Sequence, residues 1–230
     1  MAAGLFITFE GGEGAGKSTQ VRLLAERLRA HGTDVVITRE PGGTPFAEQV
    51  RALILSPSVA EHTALSEALL FYAARADHIG KIIRPAMAAG RAVLCDRFSD
   101  STRVYQSIAG GLDRKVFDAL EQLVVADAKP ELTIILDLDP SVGLARAEAR
   151  RIDAASGEGN GERNVDSDGA GRDRYERQAL AFHEKLRAGF LAIAAEEPDR
   201  CVVINANRDA SQVAAEVWSV VDQHLQRRAG

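Results

Sequence analysis

Residues 11–18 read GGEGAGKS, four glycines, a lysine and a hydroxyl set directly between the apolar run LFITF and the amphipathic stretch TQVRLLAERLRAHG. Fixing a glycine costs conformational entropy, so such a cluster marks a backbone that must curl, or be approached, where a side chain would block it. The spacing is G-x-x-x-x-G-K-[ST], and it lies where that pattern works, after a strand and before a helix. There the loop N–H groups and the positive end of the helix surround phosphate oxygens, Lys17 reaches the β- and γ-phosphates, and Ser18 offers a hydroxyl to Mg²⁺. The ligand implied is a nucleoside triphosphate with Mg²⁺. Its expected contacts are Gly11, Gly12, Glu13, Gly14, Ala15, Gly16, Lys17, Ser18 and Thr19.

The rest of the chain fits the same architecture. Short β-branched and aliphatic runs at 5–10, 34–39, 92–96, 132–139 and 201–205 alternate with helical patterns, one of them spanning 63–90 without a break. Nearly all-apolar strands separated by helices predict a parallel sheet covered on both faces, and therefore one doubly wound, five-stranded α/β domain over residues 1–230. No apolar run reaches about 18 residues and the N-terminus has neither a basic region nor a cleavage pattern, which argues against membrane insertion or export and for the cytoplasm. A formal charge of -5 argues against a nucleic-acid binder. Cys95 and Cys201 fall in strand-like runs with no metal or redox spacing, and are expected to be buried. Residues 153–171, DAASGEGNGERNVDSDGAG, have almost no large apolar side chains; on composition they read as a mobile, solvated linker.

A triphosphate site leaves the function open. A guanine-reading N-K-x-D is missing, because the corresponding stretch is NANRD. Three constellations favour a small phosphate acceptor over a regulatory ATPase. Asp96-Arg97-Phe98 closes the third strand at the edge where open α/β sheets bind ligands: Asp96 suits the Mg²⁺ shell and Arg97 suits phosphate, though the two also fit a strand-capping ion pair. Phe71 and Arg75 share one helix face and offer a stacking plane beside a hydrogen-bonding guanidinium, or else a core residue beside a surface one. REPGG, with Arg39 and Pro41, and then Arg51 either hold an anion or merely start a helix.

Taken together, FEGGEGAGKST, TREPGG, FYAARADH, CDRFSDSTRVYQ and PELTIILDLDP occur in an order that resembles the thymidylate kinases, over essentially the whole chain outside 153–171. The resemblance implies a P-loop nucleoside monophosphate kinase fold, ATP and Mg²⁺ as cofactors, and transfer of the γ-phosphoryl group to dTMP; a kinase for another monophosphate is the nearest alternative. It places thymine on Phe71 with O4 at Arg75, the monophosphate between Arg51 and Arg97, and Glu13 near the sugar 3′-hydroxyl. Ser101 joins the substrate-binding set, Thr102 and Gln106 line the base edge, and Tyr105 presses on the 2′ carbon. Lys17 and Arg97 are its catalytic cations. With Gly14 where another subtype carries arginine, it also implies a lid at about 151–172 whose flanking arginines close over ATP, Arg150 first and Arg174 second. A homodimer is implied as well.

Overall fold

The computed structural model describes residues 4–156 and 174–229, so most of the expected lid lies outside the described residues. Five strands, β1 Leu5–Gly11, β2 Val35–Arg39, β3 Ala92–Asp96, β4 Leu132–Asp137 and β5 Cys201–Asn205, make one parallel sheet in the order β2-β3-β1-β4-β5. The helices around it are α1 Lys17–Ala30, α2 Pro45–Leu55, α3 Ala64–His78, α4 Arg84–Ala88, α5 Ser99–Thr102, α6 Arg114–Val124, α7 Pro140–Ser156, α8 Leu180–Glu196 and α9 Ala210–Ala229. This is the five-stranded, doubly wound α/β arrangement that the strand pattern predicts. From β1 the chain crosses to the edge strand β2 and comes back to β3 beside β1, then passes to the other side for β4 and β5. The reversal leaves a crevice at the C-terminal end of β1, where the glycine loop emerges.

Every residue of β1 is buried, because helices cover both faces. Successive strand side chains point to opposite faces. Leu5, Ile7 and Phe9 pack with Val21, Leu24 and Leu28 of α1 and Val217 of α9, while Phe6 faces the other way against Ile79, Ile83 and Phe117. A third cluster joins Leu186, Phe190 and Ile193 of α8 to Ile54 of α2 and Ile135 of β4. Cys95 and Cys201 are buried in the sheet.

Local chemistry sets the helix ends. Thr44 Oγ1 accepts from the Ala47 amide at 3.1 Å and Pro45 opens α2, so the turn after β2 ends in a capped helix start. The helical run over 63–90 persists but contains a π turn, Ile79–Ile83, just ahead of Pro85. Proline has no N–H for the ordinary ladder, and the widened turn accommodates that loss.

Two elements depart from the sequence pattern. Residues 99–109 are helical, as α5 followed by a π turn over Arg103–Ala109. No amphipathic stripe announces them, because Ser99, Asp100, Ser101, Thr102 and Arg103 are all buried. Helix α8 starts at Leu180, later than the helical pattern of DRYERQALAFHEKLRAGFLAIA (173–194) suggests, and Arg174 to Arg177 form turns instead.

Candidate active site

The glycine loop is shaped as its spacing requires. Gly16 precedes α1 at φ 88°, a left-handed geometry that a side chain disfavours, and no side chain caps the helix, whose first N–H groups are left for a ligand. Gly14 (φ 66°) lies against Gly143 of α7 so closely that a Cβ on either would collide with the other segment's backbone carbonyl. Lys17 Nζ donates to the Gly12 carbonyl at 2.8 Å and to that of Gly11 at 3.3 Å. Burial, followed by repulsion from Arg97, lowers its pKa from the ordinary lysine value. Ser18 Oγ donates to Asp96 Oδ2 at 2.6 Å. This hydroxyl–carboxylate pair is a hard-oxygen set that fits Mg²⁺, an ion held by one or two carboxylates with its remaining positions left to phosphates and water.

Beside the loop opens a cavity of about 580 Å³, counting its mouth. It gathers Glu13, Pro41, Arg51, Phe71, Arg75, Arg97, Ser101, Thr102, Tyr105 and Gln106 from β1's loop, the turn after β2, α2, α3, β3's end and the 99–109 helix. These are the substrate residues named from the sequence, except Arg39. That side chain pairs with Glu48 at 3.2 Å and does not line the cavity.

At the loop end, Arg97 sits at φ 66°, strained for a non-glycine residue. Its Nη1 donates to the Gly11 carbonyl (3.1 Å) and Ser101 Oγ (3.2 Å), its Nη2 to Glu13 Oε1 (2.6 Å), and its guanidinium lies 5.2 Å from the Tyr105 ring centre. Burial alone would raise the Glu13 carboxyl, but Arg97 and then Lys17 outweigh it and bring it down to about 2. Tyr105 Oη also donates to Glu13, at 3.3 Å. Arg51 Nη1 is held at 3.0 Å by the carbonyl of Pro41.

At the far end Arg75 is 1% exposed. Its Nε donates to Glu40 Oε2 (2.7 Å) and its Nη2 to Thr102 Oγ1 (2.9 Å), while His78 Nδ1 backs Glu40 at 2.8 Å. Arg75 Nη1 and Gln106 Oε1 are buried with no protein partner among the described residues. Unsatisfied buried polar groups are costly, and a donor and an acceptor left open on one cavity fit a polar, planar ligand. Phe71 is half-buried beside them.

Of the arginines expected near the lid, Arg150 is exposed on α7, and Arg174 pairs with Glu67 at 3.0 Å and with His62 at 2.8 Å. Neither lines the cavity. The sequence reading missed Glu40, Phe98, Leu55 and Tyr175, which also line the cavity. Glu40 lies inside REPGG and Tyr175 inside the arginine-rich DRYER, and neither carries a local signal of its burial.

Comparison with known proteins gives one answer. The family model described as thymidylate kinase matches residues 9–217. The chain is 50% identical over 225 residues to the thymidylate kinase of Caulobacter vibrioides, covering 98% of this chain and 99% of that one. It is 50% identical over 218 residues to that of Nitrobacter winogradskyi, covering 95% and 88%. A crystal structure of thymidylate kinase from Ehrlichia chaffeensis superposes with a TM-score of 0.71 at 35% identity, over 96% of this chain and 99% of that one. A triphosphate loop opening onto a cavity with one cationic and one base-sized polar end, in a chain matched along nearly its whole length, leads to a single assignment: this protein belongs to the thymidylate kinase family.

Proposed function

We propose that this chain transfers the γ-phosphoryl group of ATP to dTMP, giving dTDP and ADP, with the residues of the loop and cavity in the following roles. The observation that carries the reading is the cavity itself, which runs from Arg97 and Glu13 at the glycine loop to Phe71, Arg75 and Gln106 at its far end. In this reading Phe71 stacks on the base, Arg75 meets its O4, Arg51 and Arg97 hold the monophosphate, and Tyr105 leaves no room for a 2′-hydroxyl. Gly11 to Thr19 cradle ATP, and Ser18 with Asp96 holds Mg²⁺, which would neutralise charge on the phosphates.

Phosphoryl transfer runs through a loose transition state, so catalysis is positioning and charge stabilisation. The dTMP phosphate is already an anionic nucleophile and needs no general base. Lys17 exchanges its loop carbonyls for phosphate oxygens, and Arg97, pre-set by Gly11, Ser101 and Glu13, keeps its fork beside the reacting group. The direct test is a panel of nucleoside monophosphates with ATP and Mg²⁺, read as ADP release. Stimulation by dTMP well above all others is expected; a stronger response to another monophosphate, or none at all, overturns the reading.

Three further parts belong to the same proposal. The chain acts as one kinase domain, with a lid at about 151–172 that brings Arg150 to the transition state. Support for the lid is compositional, since residues 157–173 lie outside the described residues; Arg150→Ala should lower kcat with little change in dTMP binding. The chain works as a homodimer, for which the exposed Phe46 and Leu53 on α2 and Leu65 and Leu69 on the adjoining α3 provide apolar surface. Sedimentation of the purified protein at twice the chain mass would support this, and sedimentation as a monomer would overturn it. A cytoplasmic location belongs to the same reading, supported by ATP and dTMP as the substrates; no helix among the described residues is long and apolar enough to cross a membrane.

A further inference from the structure

Behind the far end of the cavity lies a carboxylate that does not line it. Glu67 on α3 is 8% exposed, and two cavity-lining side chains hydrogen-bond to it: Tyr175 Oη donates to its Oε1 at 2.6 Å and Gln106 Nε2 to its Oε2 at 3.2 Å. Arg174 faces the same carboxylate at 3.0 Å. A carboxylate has only lone pairs to offer. The Tyr175 proton is committed to Glu67, so the phenol oxygen can only accept, and Gln106 Nε2 is 3.2 Å from it. With two acceptors on one side, the Gln106 amide must turn its NH₂ toward them and its oxygen away. That oxygen, Oε1, is the buried acceptor with no protein partner among the described residues.

We propose that Glu67 fixes the polarity of the Gln106 amide, and so makes this end of the cavity read an imide edge and refuse a 4-amino pyrimidine. The inference rests on the cavity being the nucleobase pocket. A guanidinium can only donate, so Arg75 Nη1 is a fixed donor; Gln106 Oε1 becomes a fixed acceptor. Such a pair complements a carbonyl oxygen next to a ring N–H. A 4-amino pyrimidine presents the reverse, an NH₂ next to a bare ring nitrogen, so donor meets donor and acceptor meets acceptor. An amide free to rotate would relieve the second of these clashes, and Glu67 removes that freedom. Glu67 is therefore a positioning residue, acting on the base through Gln106.

The test is Glu67→Gln, nearly isosteric but able to donate as well as accept, made alone and together with Gln106→Leu. kcat/KM is measured for dTMP and dCMP by ADP release. The dTMP-to-dCMP ratio should fall about tenfold, the effect of one misdirected hydrogen bond, through KM rather than kcat. In the Gln106→Leu background Glu67→Gln should not move the ratio further. An unchanged ratio overturns the proposal, and so does an equal fall in both backgrounds, which would mean a general structural role. Should Glu67→Gln fail to fold, Tyr175→Phe removes one of the two acceptors and should shift the ratio in the same direction, more weakly; no shift overturns the proposal. Arg75→Ala separates the two levels of the claim. If it leaves the KM for dTMP unchanged, the base binds elsewhere and the proposal falls with the pocket. A raised KM together with an unmoved Glu67→Gln ratio keeps the pocket and removes Glu67 alone.

Discussion

Arg97 holds a left-handed backbone that only a strong set of contacts can maintain, and its three acceptors supply them. A lysine offers a point charge in place of a planar fork and cannot reach all three at once. Arg97→Lys should therefore cut kcat by about a hundredfold or more while the KM for ATP stays within a few-fold, as steady-state kinetics would show. Phe71, half-buried with a face on the cavity, should behave differently: Phe71→Ala should raise the KM for dTMP about tenfold to a hundredfold and leave that for ATP nearly unchanged. Equal loss for both substrates would place Phe71 in the core instead. Glu10 makes a prediction about stability. It is fully buried, accepts from the Phe98 amide at 2.7 Å and Ser101 Oγ at 2.5 Å, and burial, reinforced by Asp100, raises its carboxyl from 4.5 to about 8. The folded protein thus keeps a proton there that the unfolded chain releases, so this group's contribution to stability is present below pH 4.5 and is lost as pH rises toward about 8. Melting curves across that interval should show wild type losing several degrees relative to Glu10→Gln as pH rises, whereas parallel curves would mean that Glu10 is ionised throughout.

At the level of elements, the loop between β1 and α1 does not stand alone. Its Gly14 rests on Gly143 of α7 backbone to backbone, with no side chain between to yield. Such a contact resists compression, so neither segment can move closer to the other without distorting its backbone. A methyl group on Gly143 would meet the Glu13 carbonyl and push the loop out of shape. Gly143→Ala should lower kcat/KM for ATP at least tenfold while the circular dichroism remains that of a folded protein; unaltered ATP kinetics would show that the loop relaxes freely. The same contact explains why position 14 here is a glycine and not an arginine. What the sequence made legible at this level was whatever local pattern encodes. The five strands, the capped start of α2 at Thr44 and the glycine loop each carry their cause in a few neighbouring residues. The helix over 99–109 does not, because its buried face is polar and is satisfied by partners far away in sequence, Glu10 for Ser101 and Arg200 for Asp100. Glu40 and Glu67 escaped notice for the same reason. Their meaning lies in Arg75, 35 positions away, and in Tyr175, 108 positions away.

Across the whole molecule, the sheet order brings together pieces from widely separated parts of the chain, so the site exists only while the domain is closed up. The loop comes from the middle strand, Arg97 from the end of its neighbour β3, and the far end of the cavity from α3 and the segment before α8. Ligands that bind this assembled state and not the unfolded chain stabilise all of it together. The chain has two cysteines, one on β3 and the other on β5, on opposite sides of the middle strand. Burial pushes the Cys201 thiol up to about 12 and the Cys95 thiol well above its ordinary range, so neither is a ready nucleophile while the sheet is intact. Alkylation should accordingly proceed only through opening of the sheet, and should slow severalfold when dTMP and a non-hydrolysable ATP analogue are both present. Labelling at the native rate of a free thiol would show that one half of the sheet breathes on its own. The two sulfurs thus give the protein a chemical clock for its own integrity, one on each flank, and their burial should leave the native enzyme active in thiol oxidants that would disable a kinase carrying a cysteine at its phosphate loop.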